Sequence, residues 1–290
     1  MKKIISLALV AVMLLVSLFT FASCGEDTII VQTNAFFAPF EYYEGDKIVG
    51  VDVEIMSKVG EKLGKKIQFD NVSFSAIIDN VKDGKVCDAG AAGITITDSR
   101  KEKVDFSTPY YTSVQYVIIP TNSTLATKKG ADNSEYMVWE ALAGKKIGVQ
   151  MDTTGYIYTD GEINATEADE NYGYDGVLYG TNTTCTPFST AQLAADAITA
   201  NQIDAVIIDE LPAQFIVSKN SNFKCVPLYY SGATDAEDAP VMEQYAICVT
   251  KGNTELLNAI NSVLEELMVK DENGVTAIEK MVMKHMGMDK

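Results

Sequence analysis

Residues 84–89, Gly84-Lys85-Val86-Cys87-Asp88-Ala89, and residues 201–205, Asn201-Gln202-Ile203-Asp204-Ala205, carry the same pattern twice. Each is a helix stop, a short linker and an Asp-Ala strand start, and Gly and Asn both tolerate the left-handed cap conformation. Before the first copy, 28–33 reads as a buried strand. Residues 51–62 read as a helix with Val53, Met56, Val59 and Leu63 on one side and Gly64 as its stop. A strand at 66–69 and a helix at 75–82 follow, with Ile77, Ile78 and Val81 inward and Gly84 as cap; a small-residue strand at 88–92 closes the unit. This β-α-β-α-β order predicts a parallel sheet with right-handed crossovers. Around the second copy the grammar recurs: a strand at 145–150, a strand at 176–179, a helix at 189–200 with Leu193, Ala194, Ala197 and Ile198 inward, and a strand at 204–209. Two similar α/β lobes follow. Ligands of open α/β sheets sit beyond the carboxyl ends of the strands. Two facing lobes therefore make a cleft, lined by 34–37, 92–95, 150–154 and Asp209.

Arg100 is the only arginine in 290 residues, and it ends the run Gly93-Ile94-Thr95-Ile96-Thr97-Asp98-Ser99-Arg100. Guanidinium is a flat fork that grips a carboxylate through two parallel hydrogen bonds, whereas lysine is a mobile point charge. A chain that otherwise uses lysine keeps its one fork beside a predicted cleft, which points to an anionic ligand group. Forty acidic residues against 23 basic ones give a net charge of −17. Such a body repels nucleic acid and anionic lipid. A single histidine, His285, and the absence of any Cys-x-x-Cys pair argue against a zinc site. No metal or cofactor is expected.

The first residues have the form of an export signal. Lys2 and Lys3 precede an uncharged, mostly apolar run over 4–22. Phe21-Ala22-Ser23-Cys24 resembles a bacterial lipoprotein processing site in which Cys24 becomes the lipidated N-terminus; Phe21 departs from the usual aliphatic residue. The alternative is an uncleaved anchor helix. Either places the globular part outside the cytoplasm, tethered to a membrane.

Several stretches, in order along the chain, carry a family resemblance. Ala35-Phe36-Phe37-Ala38-Pro39-Phe40-Glu41 with Ile48-Val49-Gly50-Val51-Asp52-Val53 resembles the start of the polar amino-acid-binding proteins of ABC importers. The Arg100 block and Val104-Asp105-Phe106-Ser107-Thr108-Pro109-Tyr110-Tyr111 resemble that family's central blocks. Residues 204–209, Gln244-Tyr245-Ala246-Ile247 and Lys251-Gly252-Asn253 are similar to its later ones, and the glutamine-binding and general amino-acid-binding members are the nearest in pattern. The resemblance implies an α/β, two-lobed periplasmic-binding-protein type 2 fold that closes on its ligand. Residues 1–23 would be the signal peptide, 24–27 the lipidated tether, 28–111 with 246–290 lobe one, and 112–245 lobe two. The hinge would be 110–114 and 242–246. Helices at 253–268 and 275–286 would return to lobe one.

By the same resemblance Arg100 clamps the carboxylate of a free amino acid, aided by Thr95 and by N–H groups near Thr153 and Thr154. Asp209 receives the ammonium, with Gly93 nearby; helix capping is its alternative role. Phe37 and Phe74 sandwich the side chain or serve as core aromatics. Asn34 stands where several relatives place an acidic residue. No carboxylate is evident there for a cationic side chain, and Gln150 suits a polar one, so the expectation is a neutral polar ligand. On this map Cys87 and Cys248 share lobe one and Cys185 and Cys225 share lobe two, the two pairings favoured if disulfides form. The Tyr- and acid-rich stretch 156–176 is expected to be a solvated excursion rather than a calcium loop.

The expected role is an extracytoplasmic lipoprotein, monomeric, that delivers its ligand to an ABC permease and its ATPase subunits. Two rivals remain: a dehydratase of prephenate-like acids on the same fold, and a sensor domain. An enzyme needs a general acid in the cleft, and the mapped positions offer no unpaired second carboxylate.

Overall fold

A computed structural model describes residues 28–168, 174–234 and 237–288. The export run and Cys24 lie outside the described residues. Two sheets organise the chain. The first has five strands, in the order Lys66–Asn71, Thr28–Thr33, Ala89–Gly90, Cys248–Thr250, Val104–Phe106. Thr28–Thr33 runs parallel to both neighbours, but Cys248–Thr250 runs antiparallel to both of its own. The sheet is therefore mixed: the parallel βαβ part ends where a strand arriving from the other end of the chain is inserted. The second sheet has the same plan. Thr184–Phe188, Lys146–Gln150 and Ala205–Asp209 are parallel, and Tyr111–Pro120 joins them antiparallel, with Phe223–Thr234 beyond it. A small three-stranded sheet, Phe36–Phe37, Glu41–Glu44 and Lys47–Val49, stands beside the first.

Two segments link the lobes, and they pair with each other. Met242–Tyr245 lies antiparallel to the start of Tyr111–Pro120, with Met242 opposite Val114 and Tyr245 opposite Tyr111. The helix Val51–Leu63 buries Val51, Ile55, Met56 and Val59 against Ile260, Val263 and Leu264 of Thr254–Leu267. Ile55 takes the inward place expected of Val53, which is half-buried. Trp139, Ile147, Val149, Ile207 and Leu228 form the core of the second lobe.

Three expectations fail on the second lobe. Residues 176–179 form a turn that buries Leu178; the strand is Thr184–Phe188. That edge strand is mostly polar and half-exposed, so it lacks the apolar run that marks a buried strand. Leu193 is 50 % exposed, and Ala191, Ala194, Ala195, Ala197 and Ile198 bury the helix Ala191–Thr199 instead. The supposed excursion begins as a helix, Thr154–Asn164, capped by the Thr153 hydroxyl. It buries Thr154, Gly155, Thr159, Gly161 and Glu162. A helix packed through small and polar residues carries no apolar stripe to be read. Residues 169–173 of that stretch lie outside the described residues.

The four described cysteines are free thiols. Cys87 and Cys248 do share one core cluster of the first lobe. The favoured pairing of Cys185 with Cys225 is geometrically barred. Cys185 sits on Thr184–Phe188, and three strands separate it from Cys225 on Phe223–Thr234. Four strand spacings put them about 19 Å apart, far beyond disulfide reach.

Candidate functional site

The carboxyl ends of both sheets face one cavity between the lobes. It is lined by Asn34, Phe37, Phe74, Gly93, Thr95 and Arg100 from one side and Gln150, Thr153, Thr154 and Asp209 from the other. These are the ten ligand-site residues expected from the sequence. An eleventh, Glu41, was not.

Arg100 is buried on the short helix Asp98–Lys101, whose N-cap is Thr97. Nη1 donates to the Thr95 carbonyl at 2.8 Å and Nη2 to the Asp152 carbonyl of the other lobe at 2.9 Å. Asp152 takes a positive φ of 61°, which turns its carbonyl toward the guanidinium. The guanidinium carbon also lies 5.4 Å from the Phe74 ring centroid, a cation–π distance. Two of its five donors are thus spent on holding the fork in place across the cleft.

Gly93 has φ 53°, and a Cβ there would come within 2.7 Å of the Phe37 ring. Its N–H donates to Asp52 Oδ2 at 2.9 Å, and the Tyr110 hydroxyl donates to Asp52 Oδ1 at 2.5 Å. Burial pushes the Asp52 carboxyl up to about 6, against the pull of these two hydrogen bonds. Asp52 therefore anchors the Gly93 loop from behind the cavity.

Asp209 ends its strand at the N-cap of Glu210–Lys219, yet its side chain makes no capping bond. It accepts instead from the Tyr245 hydroxyl at 2.5 Å. That settles the helix-cap alternative against capping. Burial, then the charge of Glu243, raises its pKa well above the ordinary carboxylate range.

Asn34 and Gln150 were expected to face a ligand side chain. They satisfy each other: Gln150 Nε2 donates to Asn34 Oδ1 at 3.0 Å across the lobes. Asn34 Nδ2 donates to the Val72 carbonyl, and Gln150 Oε1 accepts from the Ala191 N–H. Their amides form cavity wall.

Glu41 corrects the expectation that no carboxylate awaits a cationic side chain. It is fully buried, and neither carboxylate oxygen has a hydrogen-bond partner among the described residues. Burial, followed by the charges of Asp52 and Asp209, raises its pKa well above the usual range. It opens the strand Glu41–Glu44, where Glu41 is buried and Glu44 exposed. A carboxylate directly after Pro39-Phe40, at the start of a short strand, is the available signal. Glu41 is also a second carboxylate in the cleft beside Asp209.

Because Asp52, Glu41 and Asp209 hold protons more tightly folded than unfolded, ionising them on folding opposes stability. The ligand-free protein is expected to unfold at a higher temperature at pH 5 than at pH 7.5. Asp52 alone accounts for roughly 1.4 kcal/mol across that interval. A thermal melt that is flat or rises with pH over this range would contradict the burial-driven shifts.

Two lobes closed on a polar cavity through a two-strand hinge define a hinged solute-binding protein. The chain belongs to the bacterial extracellular solute-binding proteins, family 3, whose profile matches residues 29–278. It is 28% identical over 260 residues to an arginine-binding extracellular protein, ArtP, of Bacillus subtilis, covering 90% of this chain and 86% of that one. Among solved structures it is similar to the substrate-binding protein AbpA of an amino acid ABC transporter from Streptococcus pneumoniae, bound to L-arginine. There the TM-score is 0.70 at 26% identity, over 90% of this chain and 95% of that one. An ancestral arginine-binding protein bound to glutamine gives a TM-score of 0.68 at 29% identity, over 90% and 98% of the two chains.

Proposed function

We propose that this protein captures a free amino acid with a cationic side chain and delivers it to the permease of an ABC importer. Glu41 carries the reading: a buried carboxylate with no hydrogen-bond partner among the described residues, facing the same cavity as Arg100 and Asp209. A free amino acid brings three charges that this cavity answers. Its carboxylate takes the remaining donors of Arg100. Its ammonium group meets Asp209. A guanidinium, ammonium or imidazolium at the end of the side chain pairs with Glu41, flanked by Phe37 and Phe74. A neutral side chain would leave Glu41 needing a proton, whereas a cationic one balances it. The zwitterion touches both lobes, so it favours the closed state by its differential contacts.

The remaining features follow this role. Residues 28–111 with 246–290 form lobe one and 112–245 lobe two. Cys24 carries the lipid that keeps the protein, a monomer, at the outer face of the membrane. The arginine- and glutamine-bound relatives support an amino-acid ligand; the choice between the two rests on Glu41.

The test is a thermal-shift screen of the unlipidated domain, refolded free of carried-over ligand. The probes are L-arginine, L-lysine, L-histidine, L-glutamine, L-cystine and prephenate. A ligand at a thousand times its dissociation constant adds about 4 kcal/mol of stability. The largest shifts are expected with the cationic amino acids. A response to L-glutamine or L-cystine alone would remove the cationic assignment, and a response to prephenate alone would remove the transport reading.

A further inference from the structure

Glu243 stands on the return strand of the hinge, Met242–Tyr245, and is buried beneath the cavity. It gathers donors from both lobes. The Thr95 hydroxyl donates to Oε2 at 2.6 Å and the Thr154 hydroxyl to the same oxygen at 2.5 Å. Gln115 Nε2 donates to Oε1. Three donors thus converge on one carboxylate. Thr95 lies on the Arg100 loop and Thr154 opens the helix after the Lys146–Gln150 strand, so one carboxylate pulls the two cavity walls together.

Tyr245, two residues beyond Glu243 on the same strand, donates to Asp209, and Gln115, which donates to Glu243, pairs with Asp209 across the sheet, so the two carboxylates are neighbours. The other groups facing the pair are Tyr245, bonded to Asp209, and Glu41, Tyr158 and Arg100. Behind Glu41 lies Asp52, bonded to Tyr110. Arg100 is the only cation among them, and two of its donors are spent on carbonyls. Two adjacent buried carboxylates do not both ionise without a proton or a cation to separate their charges.

We propose that Glu243 is a positioning residue that makes closure of the lobes conditional on a cation at Asp209, supplied by the amino group of the ligand or, without it, by a proton. The proposal deepens the amino-acid reading and rests on it. Capture of an amino acid then displaces a proton from Asp209 into solvent. The sign follows. Asp209 keeps its proton to a higher pH than an ordinary carboxyl, because of burial first and the Glu243 charge second. Above its titration point affinity is flat in pH. Below that point the proton competes with the ammonium group, and affinity falls about tenfold per pH unit. Glu243→Gln keeps the size and one acceptor oxygen but removes the charge, so the titration of Asp209 and the acid limb of binding move together to lower pH.

The experiment uses the mature chain, its Glu243→Gln variant, and Glu243→Asp as a charge-retaining control. L-arginine binding is followed by calorimetry from about pH 4 to 9, in two buffers of different ionisation enthalpy, with L-glutamine as the neutral counterpart. In parallel the Asp209 carboxyl is titrated by carbon NMR in the ligand-free protein, assigned with Asp209→Asn. Proton release on binding is expected in the wild type, from Asp209 alone with L-glutamine and from Asp209 and Glu41 together with L-arginine. The acid limb and the Asp209 midpoint should fall by at least about one pH unit in Glu243→Gln and stay high in Glu243→Asp. A purely structural role would weaken binding equally at every pH. An unchanged Asp209 midpoint in Glu243→Gln overturns the proposal. If neither amino acid binds, the ligand reading fails, and the ligand-free titration still decides whether Glu243 controls Asp209. If Glu243→Gln does not fold, Glu243→Asp and the wild-type proton count decide: no proton release at any pH overturns the proposal.

Discussion

Arg100→Lys is expected to weaken amino-acid binding by about 2–5 kcal/mol, a loss of roughly thirty- to several-thousandfold in Kd. The guanidinium spans two fixed carbonyls, Thr95 in one lobe and Asp152 in the other, and still has donors to offer. An ammonium group is a point donor on a flexible stem. It cannot hold both carbonyls and also present a parallel pair of N–H groups to a carboxylate. The cation–π contact with Phe74 is also lost or weakened. Two effects therefore combine: poorer grip on the ligand and a missing strut between the lobes. Titration calorimetry measures the first, and the ligand-induced change in radius of gyration measures the second. A Kd within threefold of wild type would sink the carboxylate-clamp assignment.

Glu41→Gln has two expected effects of opposite sign, which makes it the more discriminating variant. Without ligand the protein should become more stable, because a buried carboxyl with no hydrogen-bond partner among the described residues is replaced by a neutral group of nearly equal size. With L-arginine the affinity should fall by about 2–4 kcal/mol, since the incoming guanidinium would be buried without its counter-charge. L-glutamine binding should be unchanged or tighter. Thermal melts and calorimetry on the same samples read all three. Equal losses for L-arginine and L-glutamine would show that Glu41 shapes the cavity without pairing with the ligand side chain.

The frame of the molecule was legible because its signals are local. The strands Thr28–Thr33, Lys146–Gln150 and Ala205–Asp209 are apolar and bounded by clear stops. Gly64 and Asn201 are left-handed where the pattern required it. The cavity was legible for a related reason: strand ends are fixed once strands are, and ligands of such sheets gather there. The failures have physical causes. Thr154–Asn164 is held by Gly and Thr, which leave no stripe. Leu193 stands exposed on a helix whose buried face is alanine. Glu41 and Glu243 belong to segments that were recognised, a family block and the hinge. The importance of each lies in what it lacks or gathers in three dimensions, and a sequence shows neither missing partners nor converging donors. Asn34 and Gln150 line the cavity, and there they bond to each other, which no reading of the two residues one by one reveals.

The position of Cys248–Thr250 has a consequence for how the chain assembles. That strand sits inside the first sheet, between Ala89–Gly90 and the edge strand Val104–Phe106, yet it is made after the whole of the second lobe. During synthesis the second lobe has every one of its strands before the first sheet is continuous. The N-terminal third must wait with an open slot while some 140 residues are added between its two halves. Truncation just before Cys248 should thus leave one finished body and one unfinished one, joined by a ribbon with nothing to close upon.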